Sequence, residues 1–244
     1  VSATERPKNN HHFIEPSGGL SGIIDGDLRF RIKDCDLAAL ATGRKAQNLR
    51  EMREILSNIR VDSLYFHFWG SLLKATFDDP EHHNDFAAWA WYGLHDAVLA
   101  EKLGIIDPAD YDHLEDLREV LLEIIEDHLD DLEIVPSAKI DHQFHFIRSQ
   151  IVVFDTGRIV DKPEDLVNVL PTLSLGSIFF HIIDARRRSR EGRDDFQAWL
   201  EGSFPGEYDS LCHEIGRIDP FFGGLAQLRT EYATLFENHF RRQP

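Results

Sequence analysis

The sequence is short of cysteine, of cations and of long apolar runs, and each shortage excludes something. Its two cysteines, Cys35 and Cys212, cannot build a disulfide scaffold or a four-cysteine zinc site. No apolar stretch reaches the roughly 18 residues of a membrane-spanning helix, and the opening residues lack the apolar core of a signal peptide. Lys and Arg number 26 against 43 Asp and Glu, a formal net charge of −17. So acidic a surface repels phosphate backbones and anionic lipid, which argues against nucleic acid and membrane as partners. What is present is enough for a packed core, with 42% hydrophobic and 11% aromatic residues in 244. The expectation is a soluble, cytoplasmic, globular chain.

The chain repeats itself. Phe30–His67 aligns without a gap on Phe144–His181, at an offset of 114 residues. Thr42-Gly43-Arg44 falls on Thr156-Gly157-Arg158, and Ser63-Leu64-Tyr65-Phe66-His67 on Ser177-Ile178-Phe179-Phe180-His181. Further matches follow with small indels: Asp85-Phe86 and Trp89 on Asp195-Phe196 and Trp199, Ile106-Asp107-Pro108 on Ile218-Asp219-Pro220, Leu117-Arg118 on Leu228-Arg229, and His128 on His239. The expected organisation is an irregular arm over 1–28, one copy over 29–131, a connection over 132–142 and a second copy over 143–242.

Each copy reads as one strand and about four helices, an α+β fold that is mostly helical, with the copies packed about a pseudo-twofold. The strand opens the copy, at Leu28–Ile32 and from Phe144 to Phe154. Leu37–Ala41 would also suit a helix. Thr-Gly-Arg reads as a turn, since one glycine is far short of a phosphate loop. Helices are expected over Lys45–Ser57 and Pro163–Leu170, then from N-caps at Ser63 and Ser177, at Asn84 and Asp194, and from Pro108 and Pro220.

The matched polar residues are the candidate sites. His67 and His181, with Asp85 and Asp195, are the catalytic candidates, because an imidazole beside a carboxylate can serve as a general base. Their aromatic neighbours favour the plainer alternative of buried, hydrogen-bonded packing residues. His128 with Glu126, and His239 with Glu237, are weak metal candidates, since the Glu-x-x-His spacing of di-iron bundles is missing. Arg186, Arg187, Arg188 and Arg190, with Arg193, are the binding candidates. A planar guanidinium suits carboxylate or phosphate. From Asp107 to Glu133 the first copy instead carries twelve acidic residues and one Arg. Two readings stand side by side: solvated faces of opposite sign, or an acidic helix docked on the arginines of the other half or of a second molecule.

The strings Thr-Gly-Arg-Lys-Ala-x-Asn-Leu-Arg-Glu, Ser-Leu-Tyr-Phe-His-Phe-Trp, Asn-Asp-Phe-Ala-x-Trp and Ser-Ile-Phe-Phe-His-Ile-Ile-Asp-Ala-Arg-Arg-Arg resemble those of an uncharacterised bacterial and archaeal family, a domain of unknown function. The resemblance spans roughly 29–240. It implies a cytoplasmic prokaryotic protein and carries over no activity, cofactor or site residue. From the residues, the first expectation is a non-catalytic binding or assembly protein without a cofactor, its partner another protein or a second copy of itself. The rivals are an enzyme or metal protein using the His/Asp pairs, and an anion sensor using the arginines.

Overall fold

The computed structural model describes residues 28–73, 82, 84–111, 113–221 and 223–241. The expected arm, apart from Leu28, lies outside them. Two strands of 17 residues each, β1 (Phe30–Ala46) and β2 (Phe144–Val160), pair antiparallel as a two-stranded ribbon. Leu37 lies opposite Ile151, its own equivalent at the 114-residue offset, so the register is symmetric about that pair. The remaining structure is mostly helical, giving an α+β fold. In the first half α1 (Leu49–Leu56), α2 (Val61–Phe68), α3 (Asp85–Tyr92), α4 (Ala97–Gly104) and α5 (Leu114–Asp130) follow β1. After β2 come α6 (Leu166–Val169), α7 (Leu175–Ile178), a π-helical stretch (Phe179–Asp184), α8 (Ala185–Arg188), α9 (Asp195–Ser203), α10 (Asp209–Gly216) and α11 (Leu225–Arg241). Among the described residues no helix is long and apolar enough to cross a membrane.

The strands are longer than the sequence pattern implies, and Leu37–Ala41 belongs to one of them. That segment has no strong strand signal of its own. It is held by pairing with Ile147–Ile151 opposite, an override of local preference by tertiary context. Thr-Gly-Arg is a bulge inside each strand, which corrects the expected turn. The register shifts beside it, and Gly43 and Gly157 adopt φ of 73° and 72°, a left-handed conformation that favours glycine. The threonines fasten the bulges. Thr42 Oγ1 donates to the Phe146 carbonyl at 2.6 Å, and Thr156 Oγ1 to that of Ile32 at 2.5 Å.

Each strand is seated in the opposite half. Phe30 of β1 packs its ring on His181, Phe196 and Trp199, with centroids 5.0, 5.1 and 5.2 Å away. Phe144 of β2 packs on His67, Phe86 and Trp89 at 4.7, 5.1 and 5.7 Å. The indoles repeat the exchange: Trp89 Nε1 donates to the His142 carbonyl and Trp199 Nε1 to that of Leu28. The cores of both halves therefore include an element from the other.

Several helix starts need correcting. Asn84 and Asp194 do cap α3 and α9, accepting from Ala87 N and Gln197 N. Ser63 and Ser177, by contrast, lie inside their helices, which begin two residues earlier. Ser174 is the cap of α7, and Arg60 precedes α2 without a side-chain cap. Pro108 opens only a short 3-10 turn, and α5 and α11 start at Leu114 and Leu225. Helices α4 and α10 fill the space between.

Candidate functional site

His67 and His181 each reach across the ribbon. Helix α2 and the π-helical stretch bring their rings against the strand of the other half, where they are 1% and 0% exposed. His67 Nδ1 lies 2.8 Å from Asp85 Oδ2, and its Nε2 accepts from Ile147 N at 3.1 Å. His181 repeats this with Asp195 Oδ2 at 2.8 Å and Lys33 N at 2.9 Å. An Nε2 that accepts a backbone N–H carries no proton, so each ring is the neutral Nδ1–H tautomer, donating to its aspartate. Ser63 Oγ completes the first clamp by donating to the Ile147 carbonyl at 2.6 Å. The sequence candidates are thus brought together in pairs, yet both ring nitrogens are already used. No lone pair is left for a metal or a substrate proton.

The metal candidates are not brought together. His128 Nε2 meets Asp96 Oδ2 at 2.7 Å, while Glu126 pairs with Arg53 at 2.8 Å. Glu237 pairs with Arg241, and His239 packs on the Tyr208 and Phe240 rings. Among the described residues no cluster of three His, Cys, Asp or Glu side chains could hold a metal ion.

The arginines line a cleft of about 680 Å³ where the halves meet. Trp69, Pro108, Tyr111 and His113 come from the first half; Ile183, Arg186, Arg187, Arg188, Ser189, Arg190 and Phe221 are among those from the second. A continuous helical run from α7 through the π-helical stretch to α8 carries the cations. The equivalent first-half helix stops at Phe68, and Gly70 and Leu72 stand where Asp184 and Arg186 do. The arginine row is therefore a feature of the second half only.

Buried carboxylates and rings hold these guanidiniums in place. Asp184 takes Arg187 at 3.1 Å and Arg188 at 2.7 Å, the (i, i+3) and (i, i+4) partners that helical spacing allows. It also accepts from Tyr65 Oη of the first half at 3.1 Å. Burial, together with the Asp184 charge, pushes the Tyr65 phenol well above its usual range, so it remains a donor. Arg187 lies over the Tyr65 ring and Arg188 over Phe180, at 4.9 and 4.5 Å. Arg188 also reaches Asp195 at 3.3 Å, joining the cleft to the His181 clamp. Burial works against its charge, but Asp195 and Asp184 outweigh that and raise its pKa.

Arg186 is turned inward. It donates to the Ile218 and Ile215 carbonyls and to Tyr232 Oη, with Asp194 at 3.7 Å. Burial pushes the Asp194 carboxyl up, opposed by the Tyr232 hydroxyl at 2.6 Å and by Arg186. Arg193 pairs with Glu191 and Glu201. The cluster's carboxylate partners among the described residues thus belong to the second half and not to the acidic helix α5. That corrects the docked-helix reading within the chain.

Sequence reasoning missed the cleft's aromatic wall and Asp184. The Asp184-x-x-Arg187-Arg188 spacing was a usable signal, whereas Trp69, Tyr111 and Phe221 meet only in the folded chain. It also left Arg118 and Arg229 without a role. Arg118 donates to the Leu56 and Ile59 carbonyls, and Arg229 to that of Leu173, capping carbonyls at or beyond helix ends.

No curated protein matches the chain. Among solved structures, OrfY from Thermoproteus tenax is similar, with a TM-score of 0.71 and 26% identity over 86% of this chain and 94% of that one. A family model matches residues 27–237, and the chain belongs to that family, a family of unknown function (DUF5752).

Proposed function

We propose that this chain is a non-catalytic binding protein that arose by duplication, and that its arginine-lined cleft is where it binds. One observation carries the reading: a row of guanidiniums held against rings and buried carboxylates along a cleft shared by both halves. Side chains fixed in this way lose little freedom when a ligand arrives, which favours binding. The His/Asp pairs support the same reading from the other side. They spend both ring nitrogens on structure and sit away from solvent. Native mass spectrometry of protein isolated from its own cells tests the proposal. A bound species present on the wild type and missing from a folded Arg187→Gln/Arg190→Gln variant is expected. Identical spectra from the two proteins would contradict it.

A further inference from the structure

We infer that the ligand of this cleft is a small phosphate monoester with a ring-bearing body, its phosphate on Arg187, Arg188 and Arg190 and its ring against Tyr111 and Phe221. This rests on the cleft being the binding site. The volume comes first: about 680 Å³ falls within the range of small-molecule pockets, roughly 300–1,000 Å³, and suits a metabolite better than a protein element. A polyanion such as nucleic acid would meet the repulsion of a chain at −17.

The donors set the head group. Arg187 spends Nε and Nη2 on Asp184, and Arg188 spends Nε on Asp184 and Nη2 on Asp195 and the Phe180 carbonyl. Each keeps Nη1 uncommitted among the described residues. Arg190 makes no ion pair among them and is exposed in the cleft wall. Arg186 is committed to Ile215, Ile218 and Tyr232 and serves as scaffold. Arg187 and Arg188 each keep the two N–H groups of Nη1 and Arg190 its five, more than the roughly four lone pairs of one carboxylate can accept. A phosphate monoester offers three oxygens and close to two charges. In the same lining, the half-buried Tyr111 and Phe221 supply apolar ring surface, which a bare anion would leave unused.

Titration calorimetry of the full chain at low salt tests this, with phenyl phosphate, inorganic phosphate, benzoate and phenol as probes. Phenyl phosphate should bind at least about tenfold tighter than inorganic phosphate or benzoate, and phenol should not bind. Arg190→Gln should weaken phenyl phosphate by about tenfold or more at an unchanged melting temperature, since its side chain is outside the packed network. Tyr111→Ala should bring phenyl phosphate down towards inorganic phosphate. Absence of phenyl phosphate binding by the folded wild type, or equal binding by Arg190→Gln, would overturn the inference. A poly-glutamate peptide separates the two levels of the argument. If it binds the wild type and not Arg190→Gln while phenyl phosphate fails, the binding site stands and the ligand class is wrong. If both fail, both readings fall.

Discussion

At the residue scale the histidines act as clamps between chain segments far apart in sequence. A buried ring satisfied on both nitrogens is costly to remove, because it leaves a backbone N–H unpaired and takes a donor away from a buried carboxylate. His67→Ala and His181→Ala should each lower stability by on the order of 3 kcal/mol, read from urea unfolding at neutral pH. An effect below about 1 kcal/mol at both positions would contradict the clamp. The cysteines are quiet by the same burial. Burial, reinforced by nearby carboxylates, pushes both the Cys35 and Cys212 thiols up to about 12. Iodoacetamide at mildly alkaline pH should label neither in the folded chain and both after denaturation. An unfolded thiol releases its proton from about pH 9.0, whereas the folded one keeps it to about 12, so both contributions to stability are lost as pH rises through that window. The repetition of His67 with Asp85 and of His181 with Asp195 drew attention to residues that the fold brings into hydrogen-bond contact. The histidines' second partners were not legible, because Lys33 N and Ile147 N are backbone groups that no residue type announces.

At the element scale the ribbon depends on close approach and on its bulges. A Cβ on Gly176 in α7 would stand 2.2 Å from the Cys35 carbonyl of β1, where backbone must give way. Gly176→Ala should therefore cost about 1–3 kcal/mol by thermal unfolding. Gly157→Ala adds no clash, since open space surrounds that position, and should cost only about 1 kcal/mol through its positive φ. The reverse ranking of the two variants would contradict this account of the ribbon. Helix caps with Asn or Asp were readable at Asn84 and Asp194, because cap chemistry is local. Long strands through Leu37–Ala41 were not, since what holds them is a partner 100 or so residues away in sequence.

At the scale of the whole molecule, the two halves complete each other by exchanging strands. Phe30 fills the second half and Phe144 the first, and each strand's backbone is held by the other half's histidine. The 114-residue offset aligns Phe30 with Phe144 and His67 with His181 in the sequence, whereas the exchange depends on three-dimensional contacts that such an alignment does not encode. A half on its own lacks a core aromatic and a clamped strand. Because the register is symmetric about Leu37 and Ile151, pairing of a half with its own copy is the outcome that sedimentation must separate from a folded monomer. The most direct test is to divide the chain within the first residues of the 132–142 connection, purify the two halves separately and follow each by circular dichroism with sedimentation. The account predicts that neither half melts cooperatively as a monomer and that mixing them restores one cooperative transition. A half that is monomeric and unfolds cooperatively alone would contradict it.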